Sequence, residues 1–374
     1  MTDNAGMPDT TALPALPPLQ WDIFCTVIDN YGDAGVCWRL ASQLASRGQR
    51  VRLWIDQPEV LTWMAPEHSA VDVRHWVSPL PAADLPAQAG DVLIEAFGCE
   101  LDDSVQAWWA QGHGASGGLW LNLEYLSAED YVLRCHGLQS PVMSGPAAGC
   151  SKRFVYPGFV PGTGGLLRET GLLQRQQNFD RAGWRQQLGV ATGSDLVLSL
   201  FCYEPDALPA LLQQLSGSAS PNSWLVFQGR GRAALEQLTG HGLPVQHGSS
   251  QLLALPWLDQ AGFDAVLWAS DFNAVRGEDS LVRALWAGQP FVWHIYPQDD
   301  NAHHAKLDAF LDWLQAPADW RDFHHAWNSI GEVVLPELTP ERLARWRVCA
   351  LEARARLLAQ PDLVSQLLVL AQAG

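Results

Sequence analysis

Thr26-Val-Ile-Asp-Asn-Tyr-Gly-Asp-Ala-Gly-Val36 is the stretch on which the fold turns. An apolar run from Ile23 to Ile28 stops at Asp29, and glycines follow at Gly32 and Gly35. From Val36 to Ala45 the residues Trp38, Leu40, Ala41, Leu44 and Ala45 fall near one face at helical spacing. The pattern reads as strand, tight loop and helix. In an open α/β sheet such a loop lies at the carboxyl end of a strand, where ligands bind. Asp29 ends the strand, and Asp33 stands at the helix start, where the helix dipole favours an anion. A turn role for Asp29 and a capping role for Asp33 would each be ordinary. Two carboxylates in one ligand-facing loop also suit a cationic or protic partner, because burying them unpaired is costly.

The same rhythm runs outward from this point. Residues 1–19, rich in Pro, Ala and Thr, read as a disordered leader without the basic and apolar regions of a signal peptide. Val51 to Ile55, Val71 to Trp76, Asp91 to Phe97 and Leu119 to Leu123 read as further strands, with a helix at Asp102 to Gln111. Residues 137–170, rich in Gly, Pro and Ser, read as loops. A second set begins near Asn178, with a helix from Phe179 to Leu188 and strands at Leu196 to Phe201 and Ser223 to Gln228. Shorter strand candidates lie at Val245, Leu252 to Leu255 and Ala265 to Trp268. Ser270 to Ser280 reads as a loop, followed by a helix from Leu281 to Ala287, Gly288 as its cap and a strand from Pro290 to His294. Pro340 to Leu370 reads as a helical tail. Alternating strands and helices predict parallel, doubly wound sheets. The expected α/β architecture is therefore two Rossmann-like domains facing each other across a cleft, the GT-B arrangement. Its expected parts are residues 20–175, 176–345 and a tail at 346–374 that packs back on the first domain.

Composition narrows the function. At 374 residues, two domains are the natural division, and 48% hydrophobic residues suffice for two cores. A net charge of −17 argues against general nucleic-acid binding and suits a cationic substrate. The 18 tryptophans can serve the core or stack on bases and sugars. Seven scattered cysteines without C-x-x-C point to reduced thiols in the cytoplasm. No apolar run is long enough to span a membrane. G-x-G-x-x-G is absent, with Gly229-Arg-Gly231 the nearest approach, so a nicotinamide or flavin cofactor is not expected. Metal-ligand spacing and a G-x-S-x-G elbow are absent too, so neither a metal site nor a serine hydrolase is expected.

A second constellation is Arg276-Gly277-Glu278-Asp279-Ser280, read as the loop before a helix with Asp279 or Ser280 as N-cap. Helix-start N–H groups suit a diphosphate, Arg276 can add a charge-assisted contact, and Gly277 allows close approach. A well-capped helix would look the same. Phe201, Tyr203, Trp257 and Phe263 stand near strand ends and could sandwich a pyrimidine or simply pack. Gln260 could read a base edge. His303, after the Gln298 to Asn301 loop, could reach the cleft.

These residues carry a resemblance. Trp21 to Leu40 closely resembles the start of the bacterial EarP proteins, the protein-arginine rhamnosyltransferases. Phe272 to Ser280 together with Trp286 to Gln298 resembles their second signature. The resemblance runs from about Trp21 over nearly the whole chain. It implies a GT-B fold and an inverting transfer of rhamnose from dTDP-β-L-rhamnose to an arginine of translation elongation factor P, which rescues ribosomes stalled on proline runs. It further implies catalytic roles for Asp29, Asp33 and Glu278. Phe201, Tyr203, Arg276, Glu278, Asp279 and Ser280 would bind the donor, with Tyr31 and Gly32 beside them. Trp257 and Phe263 would flank the thymine near Gln260, Trp257 standing where relatives have Phe. On position, Asp29 suits holding the acceptor guanidinium and Asp33 suits taking its proton, although a helix start weakens Asp33 as a base. Other readings are a different GT-B enzyme, such as an epimerase or a small-molecule glycosyltransferase, and a non-catalytic adaptor for a nucleotide sugar. The paired acids argue against the adaptor.

Overall fold

The computed structural model describes residues 17–27, 31–66, 70–114, 117–298 and 301–373. Asp29 lies outside the described residues, as do residues 1–16 of the expected leader.

The first sheet contains β1 (Gln20–Cys25), β2 (Arg50–Ile55), β3 (Asp72–His75), β4 (Val92–Ala96), β5 (Leu119–Leu123), β6 (Gln139–Pro141) and β7 (Ser151–Val155). Its order is β3-β2-β1-β4-β5-β7-β6, parallel except for β6 against β7. The second contains β8 (Leu196–Leu200), β9 (Asn222–Val226), β10 (Val245–His247), β11 (Ser250–Ala254), β12 (Phe272–Arg276) and β13 (Phe291–His294). Its order is β10-β11-β9-β8-β12-β13, parallel except for β10 against β11. Among its parallel strands each sheet reverses order once, between β1 and β4 in the first and between β8 and β12 in the second. Ligand crevices of open α/β sheets lie beyond the carboxyl ends of the strands at such points.

Central strands are apolar because both faces are covered. Every residue of β4 is buried. One face of the first sheet meets a core containing Ile23, Leu40 and Leu44, and the other meets Phe24, Trp54, Trp109 and Trp120. A buried acid on β1, Asp22, is satisfied by Arg52 Nε at 2.6 Å and Trp54 Nε1 at 2.9 Å. Thirteen of the 18 tryptophans, among them Trp21, Trp224 and Trp346, are buried in the cores, so most of the tryptophan supply serves packing.

The structure corrects four local expectations. Residues 137–170 contain β6 and β7; Lys152 and Arg153 interrupt the apolar pattern of β7. Ala265 to Trp268 lies in a helix, Gln260–Ala269, started by the Asp259 side chain, which accepts from Gly262 N–H. A four-residue apolar run has no period of its own, and the cap decides it. The expected Ser270–Ser280 loop contains β12, and the next helix, Gly277–Ala287, follows it directly. The tail is two helices, Pro340–Leu358 and Leu363–Ala373, because Pro361 cannot continue the first.

Trp346, Ala350 and Leu357 of the first tail helix pack in the second half. Leu363, Val364 and Leu367 pack in the core of the first half. Arg47 fixes the junction through Asp362 at 2.9 Å and Ser365 Oγ at 2.7 Å. Among the described residues no helix is long and apolar enough to cross a membrane.

Candidate active site

On the first half, β1 leads to the helix Gly32–Ser46, which begins after Tyr31 in the left-handed region at φ 62°. Asp33 lies in the first turn. Gly35 brings this helix against the second half: a Cβ there would stand 3.4 Å from both Asp279 Oδ2 and Gln260 Nε2. Gln260 Nε2 donates to the Gly35 carbonyl at 2.9 Å.

On the second half, β12 ends at Arg276 and the chain turns at once into the helix Gly277–Ala287, with Gly277 at φ 65° supplying the turn. The expected cap by Asp279 or Ser280 is corrected. Arg276 occupies the N-cap position, and no side chain caps the helix. Ser280 Oγ accepts from Arg276 N–H at 3.0 Å and donates to the Arg276 carbonyl. The Arg276 guanidinium rests on the rings of Phe201 and Tyr203, 4.7 and 4.8 Å from their centroids. It is therefore a pre-oriented cation at the start of a helix whose dipole also favours an anion.

The acids in that first turn are engaged by cations. Glu278 Oε1 pairs with Lys306 Nζ at 2.6 Å, and its Oε2 accepts from Leu126 N–H of the first half at 2.7 Å. Asp279 meets Arg39 Nε at 3.2 Å. Behind it, Arg39 and Arg283 share Glu169 and Asp264 in a buried network. Burial pushes the Glu169 carboxyl up, but Arg283 and Arg39 outweigh it and hold Glu169 at about 2. Burial raises Asp279, and Arg39 offsets that only in part. The first turn thus keeps Arg276 and the backbone N–H groups as its positive face.

Both switch points open on one cleft of about 690 Å³. Asp33, Tyr31 and Gly32 line it from the first half. Phe201, Tyr203, Trp257, Gln260 and Phe263 line it from the second, as do Arg276, Glu278, Asp279 and Ser280. Every expected site residue that is described therefore reaches the same cavity. Phe201, Phe227 and Phe263 form a triangle of rings with centroids 4.9–5.4 Å apart. Trp257 is 61% exposed, and its ring stands 4.8 Å from Trp63 of the first half, which in turn meets Tyr31 at 5.9 Å. Tyr125 lies between the halves: burial raises its hydroxyl pKa, and the charges of Asp33 and Glu278 raise it further, so both acids act on one point. His303 also lines the cleft, and its Nδ1 accepts from Gln298 N–H at 3.0 Å. Sequence reasoning missed Arg39, Trp63, Tyr125 and Lys306. Arg39 and Trp63 stood in view as an arginine and a tryptophan near the first motif, but nothing local gave them partners. Among the described residues no group of three or more His, Cys, Asp or Glu could hold a metal ion.

Two parallel-dominant sheets facing across a cleft, with the switch points of both opening on it, have the GT-B architecture of glycosyltransferases. A UDP-glucosyltransferase from Polygonum tinctorium shares that fold at a TM-score of 0.53 and 12% identity, over 95% of this chain and 98% of that one. The family model for the Elongation-Factor P (EF-P) rhamnosyltransferase EarP matches residues 21–372. Protein-arginine rhamnosyltransferases of Pseudomonas putida and Pseudomonas aeruginosa are 45% and 42% identical, each over 93% of this chain and 97% of the relative. A solved structure described as the structural basis for EarP-mediated arginine glycosylation of translation elongation factor EF-P is 31% identical, with a TM-score of 0.62 over 95% of this chain and 99% of that one. The chain belongs to the EarP family and is an enzyme of the glycosyltransferase class.

Proposed function

We propose that this enzyme transfers L-rhamnose from dTDP-β-L-rhamnose, with inversion, to an arginine side chain of translation elongation factor P in the cytoplasm. The observation that carries the reading is the convergence of Asp33 and the Arg276–Ser280 turn on one cleft from opposite halves. The relatives' names supply the acceptor and the sugar. The aromatic walls suit a pyrimidine base: Phe263 within its triangle of rings on one side, Trp257 at the mouth. The diphosphate sits against Arg276 and the start of the Gly277–Ala287 helix, which stabilise the charge that grows as the bond to the sugar breaks.

The acceptor guanidinium has a pKa of roughly 12.5–13.8, so it is a poor nucleophile until a proton leaves. A carboxylate in a sheltered cleft both orients it by paired hydrogen bonds and takes the proton as attack proceeds. Asp33 is assigned the base and Asp29 the orienting role. Glu278, with Lys306 on one oxygen and Leu126 N–H on the other, holds the two halves in place around the reacting atoms. The test is to incubate the protein with elongation factor P and dTDP-rhamnose and to weigh the factor. A gain of one deoxyhexose on a single arginine is expected. An unmodified factor, with dTDP still bound to the protein, would refute the transfer.

A further inference from the structure

The acids gathered around Arg39 are unequally satisfied, and Asp279 is the one of them that lines the cleft. Arg283 grips Asp264 at two points, Nε to Oδ1 at 2.8 Å and Nη2 to Oδ2 at 2.6 Å. It also serves Glu169 at 3.0 and 2.8 Å. Asp279 has a single ion-pair partner among the described residues, Arg39. Several side-chain contacts cross from one half to the other beside the cleft. Gln260 to Gly35 and Glu278 to Leu126 each end on backbone. Arg39 to Asp279, Arg39 to Asp264 and Arg283 to Glu169 join side chain to side chain, and of these three it is the Arg39–Asp279 pair that ends on the first turn of the Gly277–Ala287 helix.

Its position gives that bond its significance. Arg39 and Asp33 share one helix, about 9 Å apart along the axis at the usual rise. Asp279 is in the first turn of the helix that begins at the Arg276 N-cap. Arg39 therefore links the helix that carries the proposed base to the helix that carries the proposed donor site. Lysine would not serve equally, because Arg39 meets Glu169, Asp264 and Asp279 with three different nitrogens. The link lies within the described network: two arginines stand against three carboxylates, and removing Arg39 leaves one cation for three.

We infer that Arg39 is a positioning residue that sets the register between Asp33 and the donor-side turn, so that acceptor and donor meet correctly only while the Arg39–Asp279 pair holds. The inference rests on the transferase reading above. It predicts a split between chemistry and nucleotide binding. In Arg39→Met, dTDP affinity stays near the wild-type value, while kcat for transfer falls by about 100-fold, the usual effect of a misplacement near 1 Å. In Asp279→Asn, adding Arg39→Met lowers kcat by much less than it does alone, because the two changes break the same link.

Hydrogen exchange provides a readout independent of transfer. In the wild type, dTDP slows exchange at residues 277–280 and also at 32–36; in Arg39→Met it slows exchange at 277–280 alone. If Arg39→Met does not fold, Arg39→Lys carries the same two readouts, because it keeps the charge and loses the three-way reach. Loss of kcat in proportion to dTDP affinity, or undiminished protection of 32–36 in the variant, would overturn the inference. A wild-type protein that shows linked protection but transfers no sugar would refute the transferase reading and leave the Arg39 link standing.

Discussion

Replacing Arg276 by Ala tests the donor site most directly. The side chain is 8% exposed and lies against Phe201 and Tyr203, so its direction is set before any ligand arrives. The two ring contacts are present with and without ligand and largely cancel from the binding difference; their loss should appear in stability. What remains for binding is a charge-assisted hydrogen bond to phosphate. Such a bond contributes about 1.5–3 kcal/mol, which weakens dTDP by about 10- to 150-fold. Calorimetric titration with dTDP reads this, and a melting curve shows whether the variant is folded. Arg276→Lys should recover part of the affinity, since it restores the charge without the planar stacking. A folded Arg276→Ala protein that binds dTDP as tightly as the wild type would remove Arg276 from the phosphate site.

Asp33→Asn keeps the shape and removes the base, so turnover should fall by about 10²–10⁴-fold while the protein acceptor still binds; Asp29→Asn should weaken acceptor binding as well. The reverse pattern would exchange the two roles, and near-normal turnover in both would end the two-aspartate mechanism. Activity should survive excess chelator, because Arg276 and a helix start supply the positive charge; loss restored by Mg²⁺ or Mn²⁺ would contradict this. Stability should fall as the pH drops below roughly 6.5, where unfolded histidines take up protons. Burial, then Arg230 and Arg276, press His294 to about 4, and burial presses His324 to about 3. Both folded values are depressed, so the unfolded chain binds more protons in that window. A urea midpoint that stays level from about pH 7 to about pH 5 would count against it.

The first strand–loop–helix was legible because Asp29, Gly32 and Gly35 cut a clear apolar run from a clear helical stripe. β12 was not, because Asn273 breaks its apolar pattern. In the structure Asn273 accepts from Ser199 Oγ on β8 at 2.6 Å and donates to the Leu267 carbonyl at 3.2 Å, so a buried polar residue is fully accommodated there. The cleft's aromatic and acidic residues could be named in advance because they sit at strand ends or inside the two signatures. The Arg39–Glu169–Asp264–Arg283 network could not, since its partners lie 130 and 225 residues from Arg39. Nothing local in a sequence marks such a pairing. Trp63 escaped for a related reason: it stands on a helix of only four residues, and its significance comes from Trp257 across the cleft.

The course of the last helices has a consequence for how the two halves can move and be made. The chain crosses between the halves twice, once on leaving the first sheet and again between Leu358 and Leu363. Two crossings restrain twisting between the halves more than a single tether would, and favour opening and closing about the line that joins them. The seat filled by Leu363, Val364 and Leu367 belongs to a core whose members outside that last helix come from residues 21–167. On the ribosome that core stays short of one wall until those three residues have left the exit tunnel. A fragment ending before them would expose an apolar groove, so the first half should not be separable from the second by a simple cut between the two sheets.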